Sequence, residues 1–247
     1  YLRLMVRDPF THKNVKALYY ASGFLRYWLP AIRGWKSFFK AYDRLTFPER
    51  EEVDRRVLYY HKKQNSFDLG PNAETIGEMK MPSRSKVYFI DLYEYLRFFS
   101  KNLSLHFLPG DIIEVPPVPT FVKSRPVGEG NENSILLNFN KVRHFTFVND
   151  RVKFENKKDL LVCRNNLYQA NRIAFFKKHF DNPLCDLGQV NTGTDHDEWV
   201  KPKMSISDHF QYKFILCLEG NDVASNLKWV MSSGSLAVMP KPKYETW

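Results

Sequence analysis

The sequence predicts an α/β protein whose C-terminal part, residues 151–247, is built on a parallel sheet. Two stretches carry that prediction. The apolar run 212–218 stops at Glu219-Gly220, and helically spaced Val223, Leu227, Val230 and Met231 follow, then a second apolar run, 236–239. The run 160–163 stops at Arg164-Asn165-Asn166 and precedes a segment, 169–180, with Ile173, Phe176 and Phe180 along one face. Strands that alternate with helices imply crossover connections and parallel pairing. A third observation is size, since 247 residues can bury a large core in one or two domains.

Taken in order, residues 1–150 are more loosely patterned. Helices are expected over 15–28, 31–45 and 49–62, with Pro30 and Gly34 interrupting the first two. Pro48 followed by Glu49, Glu51 and Glu52 marks a helix start, with acids near the positive dipole end. Residues 64–85, with Gly70, Pro71, Gly77 and Pro82, read as a loop. The run 86–91 reads as a strand and 92–101 as a helix. A proline-rich passage, 109–119, leads into 120–126; a turn over 128–133 precedes a strand at 135–139. Residues 181–205 read as a polar connection. These changes of rhythm divide the chain into an N-terminal domain, 1–150, and a C-terminal domain, 151–247.

Composition narrows the class. Aromatic content is 15% and the formal net charge is +10. Cys163, Cys185 and Cys217 have no CxxC spacing, which disfavours a disulfide framework and fits a reducing compartment. No signal peptide is visible, and no uncharged apolar run reaches the ~20 residues that span a bilayer. The chain begins at Tyr1 and stops at Trp247 just after a strand, so a fragment is expected. Between Asp8 and Asp43 there is no acid, but there are Lys13, Lys16, Arg26, Arg33, Lys36 and Lys40, interleaved with aromatics such as Tyr19, Tyr27, Trp28 and Trp35. Such a stretch suits anionic lipid headgroups, a phosphorylated glycan or nucleic acid. It equally describes an amphipathic core helix with a solvated basic face.

Three features compete for the chemistry. The strand–glycine–helix passage 212–231 would aim helix N–H groups at an anion, with Lys228 adding a cation; an ordinary βα turn is the bland alternative. Arg164 and Arg172 flank a turn and helix after a strand, where they can fork around a diphosphate or form a sheet-edge ion pair. Asp195 and Asp197 form a DxD pair that can hold a divalent ion, although short acidic pairs arise readily in polar loops. His209, just before a strand, either orients a substrate or caps structure. There is no GxxxxGK[ST] and no GxGxxG.

At these residues the chain resembles a known family. Asp208-His209, Tyr212-Lys213, Gly220, Val223-Ala224-Ser225 and Lys228, with Ser233 and Ser235-Leu236 behind them, are similar to the donor-domain signature of family-90 glycosyltransferases. Lys157-Lys158-Asp159, Arg164 and Arg172 resemble that family's second motif. The bacterial lipopolysaccharide core branch is nearest, through Arg56-Val57-Leu58-Tyr59-Tyr60, the run 119–126, the run 219–229 and Tyr244-Glu245-Thr246-Trp247. The similarity covers roughly 50–247 and is strongest after 119.

The resemblance implies a GT-B-like architecture of two Rossmann-like domains, the C-terminal one truncated. It implies a UDP-hexose donor, a lipopolysaccharide or lipooligosaccharide core acceptor, inversion, and no metal or other cofactor. By position, Arg164, Asn166 and Arg172 would hold the donor from one strand end. Asp222, Val223, Ala224, Ser225, Asn226 and Lys228 would wrap the diphosphate and sugar from the next. The family's arginine is replaced by Lys228 and a glycine by Asn165, which tolerates left-handed angles. Where animal relatives place an aspartate base, this chain has Ser124; Asp111 and Glu114 just upstream are the candidate bases. The resulting expectation is a glycosyltransferase at the cytoplasmic face of the inner membrane that takes no nucleic acid as partner. The rival readings are a metal-dependent transferase using Asp195 and Asp197, and a non-enzymatic nucleic-acid-binding protein.

Overall fold

A computed structural model describes residues 12–31, 36–63 and 65–247. Arg33, Gly34 and Trp35 of the basic aromatic stretch lie outside the described residues. Two units form. One comprises residues 16–141 together with 243–247; the other, among the described residues, comprises 12–15 and 142–242. These units meet in sequence at 141/142, and residues 243–247 group with residues 16–141.

The unit of residues 16–141 begins with three helices: α1 (Lys16–Trp28), α2 (Lys36–Tyr42) and α3 (Phe47–Tyr60). The Glu49 carboxylate accepts the Thr46 N–H at 2.8 Å, which caps the start of α3. A short strand β1 (Glu74–Thr75) follows, then α4 (Lys86–Leu96) and β2 (Ser104–Leu105), which pairs antiparallel with β1. The run 86–91, expected as a strand, is therefore helical. Its apolar residues continue at helical spacing, so that Tyr88, Phe89, Leu92 and Leu96 are all buried in one core with Ile76, Met79 and Phe139. A short apolar run cannot by itself separate the two periods. Helix α1 lies against α4 through Gly23, where a Cβ would stand 2.6 Å from Ile90 Cγ2.

Three further short strands complete this unit: β3 (Thr120–Val122), β4 (Ser124–Pro126) and β5 (Ser134–Leu136). β3 pairs parallel with β5, and β4 pairs antiparallel with the terminal strand Tyr244–Thr246. Arg125, fully buried, ties these pieces together. Its Nε donates to Glu245 Oε1 at 2.6 Å, Nη1 to the Ser134 carbonyl at 3.0 Å and Nη2 to the Tyr59 carbonyl at 2.7 Å. Burial would raise the Glu245 pKa, but the Tyr59 hydroxyl and Arg125 outweigh it and hold the carboxyl below its usual value.

After the one-turn helix α5 (Lys141–His144), the second unit is an α/β layer. Its elements are β6 (Lys158–Asn165), α6 (Ala170–His179), β7 (Cys185–Gln189), the short α7 (Ile206–His209), β8 (Tyr212–Leu216), α8 (Leu227–Met231) and β9 (Leu236–Val238). The four strands stand in the order β7-β6-β8-β9, and every pairing is parallel. Cys163, Leu187 and Leu216 pack with Phe176 of α6 on one face, whereas Val162, Ile215 and Cys217 pack with Val230 of α8 on the other. β7 falls inside the stretch expected to be a connection. Only Leu187 and Cys185 give it an apolar signal, because its other face carries Asp186 and Gly188. Helix α8 begins at Leu227, later than the spacing from Val223 predicts.

Two outcomes test this packing. Gly23→Ala should lower stability by about 1–3 kcal/mol, because buried Ile90 must move to admit the methyl; an unchanged urea midpoint would refute the close α1–α4 contact. Asp91 of α4 is buried and accepts from Tyr19 Oη at 2.8 Å and the Lys141 N–H at 2.9 Å. Burial pushes its pKa from 3.8 to about 6, against those two hydrogen bonds. A raised folded-state pKa favours the folded protein below the unfolded value, and that contribution is lost as pH rises through about 6. Asp91→Asn, having no such titration, should gain on wild type by up to about 3 kcal/mol between about pH 4 and about pH 8. Denaturation series across that range measure the difference.

Candidate functional site

The connection after β6 runs through α6 on one face of the sheet, and the connection after β8 runs through α8 on the other. The chain thus reverses direction of travel between these neighbouring strands. In open parallel sheets, ligands bind in the crevice outside the carboxyl ends of the strands at such a switch point. Arg172, on the first turn of α6, spans this crevice. Its Nη1 donates to the Asn166 carbonyl beyond β6 at 3.0 Å, while Nε and Nη2 donate to the Glu219 and Leu218 carbonyls beyond β8, both at 3.1 Å. Gly220 leaves room for it: a Cβ there would lie 3.1 Å from Nη2.

Those three acceptors are neutral, so the guanidinium charge is not cancelled by them. Burial lowers the Arg172 pKa, and the charge of Arg143 presses it further down. Arg143, at the end of α5, is a second cation near this edge that no spacing in the sequence singled out. Lys228 Nζ lies 4.1 Å from the centroid of the Phe145 ring, a cation–π contact in the same unit. Arg172, Arg143 and Lys228 are thus three cations of this unit, and the acidic residues Glu219 and Asp222 follow β8 in the same passage.

The expected diphosphate wrap, 222–228, takes a different form from a helix N-terminus. Residues 221–226 are irregular, with bends at 221–223 and a turn at 225–226, and α8 is five residues long. Asn226 Nδ2 donates to the Leu216 carbonyl at 3.0 Å and pins the turn to β8. Asp222, Val223 and Ala224 are buried, and Ser225 and Asn226 are half-buried. Asn166 is exposed, and Asn171 Nδ2 binds the Glu219 carbonyl at 3.1 Å beside Arg172.

Arg164 has a different environment. Nη2 meets Asp186 Oδ1 at 2.9 Å, and Nη1 donates to the Asp186 and Cys163 carbonyls at 2.8 and 2.9 Å. Burial would raise the Asp186 pKa; the Tyr212 hydroxyl, Lys201 and Arg164 outweigh it and hold it below its usual value. Of the two readings for Arg164, the ion pair is the one seen. His209 is buried, with Nδ1 2.7 Å from the Ser205 carbonyl, and burial lowers its pKa. The Asp197 carboxylate accepts the Gly193 and Thr194 N–H groups at 3.0 and 3.1 Å, which commits it to its own loop. Among the described residues, no group of three or more His, Cys, Asp or Glu side chains could hold a metal ion.

Sequence reasoning also missed a set of carboxamides. Asn165 Nδ2, Gln169 Oε1, Gln189 Oε1 and Asn191 Nδ2 are buried without a hydrogen-bond partner among the described residues. Asn165 and Gln189 are neighbours across β6 and β7, at their carboxyl ends. Two donors and two acceptors are therefore unspent there. The signal available was amide residues clustered after each strand, which loops show too commonly to be read. In the other unit, Asp111 is ion-paired with buried Lys123, and Glu114 is exposed.

No family model matches the chain. It is similar to the O-glucosyltransferase LpsA of Dichelobacter nodosus, with 39% identity over 206 residues, 83% of this chain and 64% of that protein. The chain thus spans less than two thirds of the relative's length.

The contrast between the arginines is testable. Arg164→Gln should lower stability by about 1–3 kcal/mol, since it removes one partner of a mostly buried charge pair. A urea series in which this variant matches wild type would overturn the structural role given to Arg164.

Proposed function

We propose that this chain is a glycosyltransferase that moves a hexose from a UDP-sugar to a hydroxyl of a lipopolysaccharide or lipooligosaccharide core. The observation that carries the reading is Arg172, a half-buried cation whose acceptors among the described residues are neutral carbonyls at the switch point between β6 and β8. A diphosphate is the ligand such a group suits, because a guanidinium forks around phosphate oxygens. The similarity to a protein named an O-glucosyltransferase supports the transfer. The unspent amides of Asn165, Gln189 and Asn191 suit a ligand with donors and acceptors of its own, as a nucleobase has.

In this mechanism the acceptor oxygen attacks the anomeric carbon with inversion. The bond from that carbon to the diphosphate oxygen breaks, and UDP leaves with the electron pair. Arg172, with Arg143 and Lys228 nearby, stabilises the charge that develops on the diphosphate, so no metal is invoked. A carboxylate takes the hydroxyl proton. Asp111 would first have to give up Lys123, which favours Glu114 of the two. A membrane-surface location is supported by Leu18, Leu25 and Leu29, which are exposed along and just beyond basic α1. No helix among the described residues is long and apolar enough to cross a membrane.

Thermal stabilisation by UDP, with ATP and GDP as controls, tests the reading. At about 100 times its dissociation constant, UDP should add about 2.7 kcal/mol. The shift should be UDP-selective, survive EDTA and disappear in Arg172→Ala. A shift lost with EDTA would overturn the metal-independent mechanism, and no UDP shift at all would overturn the donor site.

A further inference from the structure

We propose that the unit of residues 16–141 carries a second ligand site, a pocket for a phosphorylated saccharide. It does not depend on the donor-site reading. A cavity of about 510 Å³ opens between the end of α1, the end of α4 and the segments after β1 and α4. That volume lies within the range of small-molecule sites. Tyr27, Trp28, Tyr93 and Phe99 give it aromatic walls; among the described residues Arg97 and Lys101 are its charged residues and no carboxylate lines it.

Arg97 is the central group. Its Nη2 donates to the Leu29 and Pro30 carbonyls at 3.2 and 3.0 Å, which fixes the guanidinium without cancelling its charge. Its Nε is buried and has no hydrogen-bond partner among the described residues. A buried guanidinium donor without an acceptor is costly, and a phosphate oxygen supplies both the acceptor and the opposite charge. Lys101 is exposed beside it and adds a second cation.

The aromatic residues define the rest of the ligand. Trp28 is 80% exposed and Phe99 43% exposed, so both leave ring surface uncovered at the pocket. The C–H-lined face of a pyranose stacks on such rings, while its hydroxyls stay in water. Tyr27 and Tyr93 pack edge to face at 5.1 Å and give the wall a fixed shape. An inorganic phosphate would satisfy Arg97 but leave these rings bare. A phospholipid shares the phosphate and differs in its body, so the test must separate the two.

The experiment is titration of the full chain with lactose 1-phosphate, followed by ligand-observed NMR. Lactose, inorganic phosphate and phosphatidylglycerol vesicles form the other arms. Lactose 1-phosphate should bind saturably and more weakly as salt is added. Lys101→Glu and Trp28→Ala, both at exposed positions, should each weaken it by about tenfold or more. UDP stabilisation measured on the same samples should not change, which separates this site from the donor crevice. Lactose 1-phosphate that does not bind, or binds both variants as well as wild type, would overturn the proposal. So would inorganic phosphate binding as tightly as the sugar phosphate, or vesicles binding in its place.

Discussion

Parallel pairing on both sides of β6 is the constraint from which the second unit follows. A parallel neighbour cannot be reached by a tight turn, so each strand must be joined to the next by a segment that crosses a face of the sheet. The order β7-β6-β8-β9 sends the first crossover through α6 and the later one through α8, on opposite faces. The two connections part at one place, above the carboxyl ends of β6 and β8. Carbonyls that end both strands then point at a common space, and a single guanidinium can bridge them. The crevice is a product of strand order, and Arg172 is the residue that marks it.

Charge is distributed by what each cation finds as a partner. Arg164 and Arg172 are eight positions apart in the sequence and look alike in it. Arg164 meets the Asp186 carboxylate and shares it with Lys201 and Tyr212. Arg172 meets carbonyls. The same division recurs in the first unit, where Lys141 pairs with Glu94 whereas Arg97 is held by two carbonyls. Cations left with neutral acceptors retain their field, and they are the ones able to recognise an anion.

Much of the second unit was legible because its apolar runs end at clear turn residues. β6, α6, β8 and β9 fall where the pattern places them. β7 was hidden because Asp186 and Gly188 occupy the face that meets Arg164 and Lys201, so its alternation carries one apolar side only. With β7 unseen, the carboxylate that occupies Arg164 was also unseen, since Asp186 lies 22 positions away on that strand. The first unit was harder to read. Its strands are two or three residues long, below the length at which alternation is informative, and α4 is apolar enough to pass for a strand in its first half. The orphaned amides near Asn165 belong to no pattern, since their meaning lies in what fails to bond to them.

The pairing of Arg125 with Glu245 has a consequence for how the chain is made. The two residues are 120 positions apart, and nearly the whole second unit is synthesised between them. Until residues 243–247 leave the ribosome, β4 lacks its antiparallel neighbour and a guanidinium destined for full burial lacks its carboxylate. The unit of residues 16–141 is therefore completed only after residues 142–242 have been made. During translation the β6–β9 sheet can close on itself while its predecessor waits with an open edge, the interval in which a nascent chain most needs shielding from its neighbours.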